Sequence, residues 1–350
     1  MVKIFNFLSY SIIKHSFLFV FILIGSHSLA SAKKPLNADA VKEWIINFKP
    51  VALSKGITEK TFSEAFDNIS SPDFSVLPKA RYQPEFIMTL VHYLSRRISA
   101  NIIKEGQEKS NQYADILEKI NKNTGVDKNI LLAIWAAESS YGRALKNPMA
   151  VRDIFNSLSV LAYADDRRSQ YAQKQLIAAL KILQSGKVKR KDLVGSWAGA
   201  MGHTQFIPTS YLAFAKDING NSWPNIWHSI PDALASSANL LKTNGWIKNQ
   251  KWGYEVLYPY QDIKKFDNKN MSFAEWQKLG IIRADKKNYP NLTNTARLLF
   301  PDGVDGPIFL VTKNFSVLKT YNNANRYALL IGILADRISG ELGLSKKWVP

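Results

Sequence analysis

Apolar residues recur at three- and four-residue spacing over much of this chain, which is typical of amphipathic helices. The spacing holds from residue 37 to 121, from 128 to 183, from 231 to 243 and again after 323. Prolines and a glycine punctuate the first region, and we expect helix boundaries near them: Pro50, Gly56, Pro72 and Pro78. Residues 249–320 instead carry short segments rich in Val, Tyr and Phe, which predict strands. The pattern therefore predicts a mainly α (α+β) protein with a small β-rich insert.

One predicted helix, between Asp127 and Gly142, places a carboxylate on an apolar face. Its apolar positions share that face with a glutamate: Ile130, Leu131, Ile134, Trp135 and Glu138. Burial and the negative end of the helix dipole should both raise the pKa of Glu138, which would suit a general acid. The alternative is a half-exposed glutamate paired with a cation such as Arg143.

A glycine-rich segment, GSWAGAMGHTQFIPTSY, spans residues 195–211. Its small residues allow close backbone approach, and its polar and aromatic side chains suit a sugar site: Gln205, Phe206 and Tyr211. A tight packing loop is the alternative. Pro208 is expected to open the next helix.

Two further segments carry charged or amide side chains. Arg167 and Arg168 follow two aspartates, where they either recognise a carboxylate or pair locally. Asp217, Asn219, Asn221 and Asp232 lie in a loop that resembles a calcium loop in part, but a turn rich in Asp and Asn needs no metal.

The first 32 residues predict export. Lys3 and Lys14 precede an apolar run, and Ala30 and Ala32 have the spacing of a signal-peptidase site, so we expect cleavage after Ala32. The chain contains no cysteine, so lipidation after the signal is not expected. No membrane span is predicted in the mature chain.

The charge of the chain points to an acidic partner outside the cytoplasm. Removing the two signal-sequence lysines from the net charge of +18 leaves +16. A basic exported protein is expected to act in the periplasm on acidic envelope polymers, such as the glycan strands and stem peptides of the cell wall, and not on nucleic acid. The sequence predicts neither protein partners nor an oligomeric state.

Four motifs, in order, resemble the lytic murein transglycosylases of the membrane-bound transglycosylase B type. They are AAESSYG around Glu138, the glycine-rich segment 195–211, residues 217–246, and YNNANRYALLIGILADR at 321–337. The resemblance implies a lysozyme-like helical core with a flanking helical domain. With it, the expected divisions are a signal peptide (1–32), an N-terminal helical domain (33–121), a lysozyme-like catalytic core (122–248), the β-rich insert (249–320) and a C-terminal helix that packs back on the core (321–350).

The resemblance also implies a reaction and its residues. It implies cleavage of the bond between N-acetylmuramic acid and N-acetylglucosamine without water, with Glu138 as acid and then base and a 1,6-anhydromuramoyl product. It implies no required cofactor; whether the Asp217 loop holds a structural calcium stays open. The other residues that it assigns to substrate binding are Ser139, Tyr141, Gln205, Phe206, Tyr211, Tyr321, Tyr327, Arg167 and Arg168. The alternatives are a muramidase that uses water and a non-catalytic wall-binding protein.

Overall fold

Helices dominate the computed structural model, which describes residues 34–67, 69, 71–81, 88–259, 262–341 and 344–345. The helices are α1 (Ala38–Ser54), α2 (Glu59–Phe66), α3 (Val76–Arg81), α4 (Leu90–Ser95), α5 (Ala100–Gln112), α6 (Ala114–Thr124), α7 (Lys128–Ser139), α8 (Ile154–Ala164), α9 (Ser169–Gln184), α10 (Pro208–Phe214), α11 (Ile230–Thr243), α12 (Phe273–Lys278), α13 (Lys313–Leu318) and α14 (Asn325–Ile338). The mainly α (α+β) class is confirmed. The expected signal peptide, residues 1–32, lies outside the described residues.

The N-terminal helices begin at polar side chains that cap them. Asn37 Oδ1 accepts a hydrogen bond from Ala40 N at 2.9 Å, and Thr58 Oγ1 accepts one from Thr61 N at 3.2 Å. The expected boundary at Pro50 is wrong, because α1 continues through it to Ser54. Pro50 is exposed, so water can reach the carbonyl that its missing N–H leaves unpaired. Among the described helices, none is long and apolar enough to cross a membrane.

Helix α7 lies at the centre of the helical core. Every residue from Ile130 to Ala136 is buried, so the helix packs on all sides over this stretch and not on the single apolar face that its sequence predicts. Asp127 caps its first turn by accepting a hydrogen bond from Asn129 N at 2.7 Å. Packing therefore holds the middle of the helix, and a side-chain cap defines its start.

The strands form two antiparallel sheets. They are β1 (Arg152–Asp153), β2 (Val194–Gly195), β3 (Gly253–Leu257), β4 (Asn270–Ser272), β5 (Ile282–Arg283), β6 (Thr295–Leu299) and β7 (Phe309–Val311). β1 pairs with β2, and the other five have the order β4-β6-β7-β3-β5. Leu298 pairs with Leu310, and Tyr254 with Leu310 on the other side of β7. This sheet has its own small core, in which Trp276 is fully buried.

Helix α14 packs antiparallel to α7. Its first turn carries Tyr327, which hydrogen-bonds Glu138 near the end of α7. Its last turns border a cavity that is also lined by Asn129 and Ile130, at the start of α7. Trp252 lies against Gly332, where an added Cβ would come within 2.4 Å of the indole ring, so α14 also joins the helical core to the sheet.

Candidate active site

The Glu138 carboxylate is half-buried at the C-terminal end of α7. Its Oε1 accepts a 2.5 Å hydrogen bond from the hydroxyl of Tyr327. Burial of the phenol, and next the charge of Glu138, hold the pKa of Tyr327 well above its usual value. Tyr327 therefore stays protonated and donates to the carboxylate. The structure brings these two predicted site residues together.

Tyr321 and Phe206 support Tyr327 from within the core. The rings of Tyr321 and Tyr327 stack with centroids 6.4 Å apart and an interplanar angle of 14°. Tyr321 donates a 2.6 Å hydrogen bond to the carbonyl of Thr204, and Phe206 packs edge-on against its ring at 5.9 Å. Phe206 is buried and Tyr321 is partly buried, so both rings are in a position to orient Tyr327.

The chain turns sharply just after Glu138, through three consecutive residues in the left-handed region. The φ angles of Ser140, Tyr141 and Gly142 are 49°, 56° and 88°. A Cβ added at Gly142 would lie 2.6 Å from Cε1 of His203, so this position has no room for a side chain. Left-handed non-glycine residues are costly, and such strain is concentrated at functional sites.

Ser139 and Tyr141 hold this turn. Ser139 Oγ donates to the carbonyl of His203 at 2.6 Å and accepts a hydrogen bond from Gly142 N at 3.0 Å. The Tyr141 hydroxyl donates to the carbonyl of Ile102 at 3.1 Å. Because the core uses both hydroxyls, these two residues position the glutamate instead of facing a ligand.

The glycine-rich segment folds back on itself beside Glu138. A Cβ at Gly195 would lie 2.1 Å from the carbonyl oxygen of Ala200, and one at Gly202 would lie 2.4 Å from that of Ile226. Only glycine permits such approach between backbones. Gln205, with a φ of 52°, donates from Nε2 to the Gly202 carbonyl at 3.0 Å.

A cavity of about 510 Å³ opens above Glu138 and the glycine-rich segment. Cationic or titratable side chains and aromatic rings border it: Lys79, Lys146, His203, His228, Trp197 and Trp227. Gln205 also lines it, and its side-chain oxygen is not used by the turn. Among the described residues that line this cavity, Glu138 is the one carboxylate. We refer to this cavity as the catalytic cleft.

His203 is a cleft residue that the sequence reasoning missed. Its Nδ1 accepts a 3.1 Å hydrogen bond from the indole N–H of Trp135, which places the imidazole proton on Nε2. Burial, with a smaller effect of His228, lowers the pKa of His203 to about 4, so the ring is neutral at pH 7. The sequence offered one sign that His203 lies in the site, its position directly after Gly202 in the glycine-rich segment. Its hydrogen-bond partner Trp135 could not be foreseen, because it lies 68 residues away in sequence.

Arg168, one of the predicted arginine pair, lies at the edge of the cleft. Arg168 places its guanidinium 5.7 Å from the ring centroid of Trp197, which lines the cleft. Arg167 is more exposed, with 70% of its side chain accessible. Both guanidinium groups lie within 3.8 Å of the Asp165 carboxylate, so both arginines pair locally. Arg168 does so while it also lies next to a residue that lines the cleft.

Tyr211 lies away from the cleft surface. Its hydroxyl donates to the carbonyl of Pro224 at 2.8 Å, and its ring packs 5.4 Å from that of Trp227. Pro208 begins α10, as predicted. The geometry therefore gives Tyr211 a supporting position behind Trp227.

The loop of Asp217, Asn219, Asn221 and Asp232 forms a hydrogen-bonded turn. The Asp217 carboxylate accepts bonds from Gly220 N at 2.7 Å and Ser222 N at 2.8 Å. Asp232 is fully buried, and its Oδ1 accepts an amide N–H from Asn219 at 3.1 Å. Calcium prefers six to eight oxygen ligands, yet this amide turns its nitrogen inward and the loop contributes two carboxylates. In the described part of the chain no group of three acidic, histidine or cysteine side chains could hold a metal. In this structure Asp217 accepts backbone N–H groups as in an Asx turn.

Comparison with known proteins places this arrangement in a family. Residues 40–336 match the transglycosylase SLT domain. Membrane-bound lytic murein transglycosylase B of Escherichia coli (strain K12) is 25% identical over 249 residues, which cover 71% of this chain and 67% of that protein. SltB3 from Pseudomonas aeruginosa, solved in complex with NAG-NAM-pentapeptide and with NAG-anhNAM-pentapeptide, is 39% identical; it superposes with a TM-score of 0.80 in both complexes, covering 88% of this chain and 83% of the first.

A third relative has a solved structure that contains calcium. The Escherichia coli lytic transglycosylase Slt35, solved in complex with calcium, has a TM-score of 0.70 at 24% identity, covering 87% of this chain and 93% of that one. At this identity the likeness supports the fold alone. The match over residues 40–336 shows that the chain belongs to the transglycosylase SLT domain family, as a lytic transglycosylase of the membrane-bound transglycosylase B type.

Proposed function

We propose that Glu138 acts first as general acid and then as general base in the cleavage of peptidoglycan glycan strands. One observation supports this assignment most directly. Among the described residues that line the cleft, Glu138 has the one carboxylate, and it accepts a hydrogen bond from the hydroxyl of Tyr327, whose pKa is raised so that it stays protonated. A hydrolytic glycosidase ordinarily places a second carboxylate across the bond that it cleaves. A single carboxylate favours a reaction in which the substrate supplies the nucleophile.

The proposed reaction balances without water. Protonated Glu138 donates its proton to the glycosidic oxygen, and the bond from that oxygen to C1 of the muramoyl sugar breaks. The N-acetyl group on C2 stabilises the positive charge that develops at C1. Ionised Glu138 then takes the proton of the C6 hydroxyl while O6 bonds to C1, which gives the 1,6-anhydro ring and restores the acid. These steps use the glutamate and the substrate alone and require no cofactor.

Tyr327 supports both steps by fixing the carboxylate. Its hydroxyl donates a 2.5 Å hydrogen bond to Oε1, which restricts the orientation of the carboxylate. A donor at this distance stabilises the ionised form that exists between the two proton transfers.

The rim of the cleft suits the rest of the substrate. Trp197 and Trp227 provide ring surfaces for sugars, and Gln205 provides an amide. Lys79 and Lys146 provide positive charge for stem-peptide carboxylates, and Arg168 adds charge behind Trp197. We place the protein in the periplasm, where this substrate lies, with export through the signal of residues 1–32.

Digestion of purified sacculi tests the proposal. The wild-type protein should release muropeptides that carry the 1,6-anhydro form, measured by mass spectrometry. Glu138→Gln should bind sacculi but lower release about 10²–10⁴-fold, the range that general acid–base catalysis contributes. Glu118→Gln is the matched control, because that side chain is 61% exposed on α6, and it should release product at the wild-type rate.

Two results would overturn the proposal. Products with ordinary reducing ends in place of the anhydro form would identify a muramidase that uses water. Undiminished release by Glu138→Gln would remove Glu138 from the reaction.

A further inference from the structure

A second groove lies at the other end of α7 from Glu138. Two cavities, of about 190 and 240 Å³, share Asn249, Gln250 and Lys251 in their walls. The first reaches Asn129 at the start of α7, and the second reaches Tyr254 on β3. Asn129 and Glu138 are nine residues apart in one helix, so about 14 Å of helix separates this groove from the catalytic cleft. We refer to it as the Asn249–Lys251 groove.

The groove presents amide side chains that the fold does not use. Among the described residues, the side-chain amides of Asn129, Asn249 and Asn294 make no hydrogen bond, and Gln250 Oε1 is a buried acceptor without a partner. A buried polar atom without a partner is rare in folded proteins, and a ligand that bonds it is one explanation. The backbone of Gln250 is firmly held, because its carbonyl accepts a 2.6 Å bond from Asn314 Nδ2.

Aromatic rings lie beside these amides. Trp246 is partly exposed at one end, with its indole N–H bonded to the carbonyl of Gly125 at 3.2 Å. Tyr254 and Phe273 form the floor at the other end. Rings together with a few amides are the usual lining of a site for sugars, whose faces are apolar and whose edges carry hydroxyl and N-acetyl groups.

The charges of the groove favour a neutral ligand over an acidic one. Among the described residues that line it, three carry a carboxylate, Asp127, Asp336 and Glu341, and one carries a positive charge, Lys251. Lys251 is already paired with Asp336 at 3.0 Å and with Glu341 at 2.5 Å. An acidic stem peptide would meet net negative charge here, whereas an N-acetylated glycan backbone carries none.

We propose that the Asn249–Lys251 groove binds a second stretch of N-acetylated glycan, separate from the one in the catalytic cleft. The choice of glycan rests on the proposed function, since it is the same polymer that the cleft would cleave. Such a groove would hold the enzyme on insoluble wall material while the cleft acts.

Equilibrium binding of chitohexaose, a neutral N-acetylated glycan, to protein that carries Glu138→Gln tests the proposal. We expect two sites, and we expect Gln250→Ala with Asn294→Ala to weaken one of them about tenfold or more while the other is unchanged, because hydrogen bonds in a buried site are lost. Asn101→Ala with Gln107→Ala is the matched control, since both side chains are exposed on α5 and line none of these cavities. Gln250→Glu is the second variant, which keeps the size of the side chain and adds charge, and it should weaken the same site.

Three results would overturn the proposal: one chitohexaose site in the parent protein, two unchanged sites in both groove variants, or binding of a free stem peptide, and not chitohexaose, in the groove. The proposed catalytic function is measured in a separate assay, the formation of anhydro products. In protein that retains Glu138, the groove variants should still form anhydro products from short soluble glycans at the parental rate. Loss of anhydro products from the parent itself would refute the catalytic proposal and leave the binding result intact.

Discussion

The two ends of α7 border the catalytic cleft and the Asn249–Lys251 groove, and the two sites differ in the charges of their lining residues. At its C-terminal end, the catalytic cleft combines one carboxylate with two lysines and two histidines among its described lining residues. At its N-terminal end, the described lining residues of the Asn249–Lys251 groove combine three carboxylates with one lysine. The same buried helix carries Glu138 at one end and Asn129 at the other, and neighbouring helices and loops complete each site. The cleft is suited to an acidic substrate and proton transfer, and the groove to a neutral polymer.

Gly142→Ala should have the largest effect on the cleft. The substitution adds the cost of a left-handed alanine to a contact with the His203 ring at 2.6 Å, and we expect the free energy of unfolding to fall by about 3 kcal/mol. Movement of the turn should also lower the rate of anhydro product formation. Gly56→Ala is the control, since its φ is 83° and no atom lies within 4 Å of the added Cβ, so it should lose about 1 kcal/mol. Equal losses in denaturant titrations would show that His203 does not fill this space.

The cleft and the groove should respond to acid with opposite sign. The folded-state pKa of His203, about 4, is below its ordinary value of 6.5, so its contribution to stability is present above pH 6.5 and is lost as pH falls towards 4. Burial raises the pKa of Asp336 to about 6 from 3.8, against the opposing charge of Lys251, so its contribution is present below pH 3.8 and is lost as pH rises through 6. The two effects partly cancel in the wild-type protein.

Two variants separate these effects. In Asp336→Asn only the His203 effect remains, so the free energy of unfolding should fall more steeply than in the wild type as the pH is lowered from 6.5 to 4. In His203→Gln only the Asp336 effect remains, so the free energy of unfolding should rise relative to the wild type as the pH is lowered over the same range. We expect each difference to reach about 1–2 kcal/mol, reduced from the full linkage value because His203 is partly exposed to solvent. Urea titrations at pH 4, 5, 6 and 7 measure it, with His92→Gln, an exposed histidine, as the control. Parallel pH profiles for all four proteins would contradict the assignment.

The sequence predicted those features that depend on local pattern. The helix around Glu138, the start of α10 at Pro208 and the last helix all follow from apolar spacing and from residues that begin or end helices. The expected boundary at Pro50 failed because the sequence does not show that this proline faces solvent. Likewise, residues 130–136 are buried on every side because other helices surround α7, which its own periodicity cannot reveal.

The chemistry of the site was less predictable where it depends on distant partners. Tyr211 looked suited to a sugar, but its hydroxyl bonds the carbonyl of Pro224. His203 offered only its position after Gly202 as a signal, because Trp135, the partner that places its proton, lies 68 residues away in sequence. The Asn249–Lys251 groove joins residues as far apart as Asn129 and Asn294, and no local motif describes it. The spacing of apolar residues predicts helices and strands. Only the packed structure shows which polar atoms have no hydrogen-bond partner.

Tyr327→Phe should have the smallest effect and the most specific one. The variant keeps the buried ring but removes the hydrogen bond to Glu138. We expect kcat to fall about tenfold and the alkaline limb of the pH–rate profile to move up by about one unit, because a carboxylate that loses a donor to its charged form holds its proton to higher pH. Tyr289→Phe is the matched control, since it removes a buried hydroxyl that bonds the carbonyl of Ile281 in the sheet region. It should cost stability without moving the limb. An unmoved limb in Tyr327→Phe would mean that the group titrating in the profile is not Glu138, and the contrast between a proton-transferring cleft and a neutral groove would then need another acid.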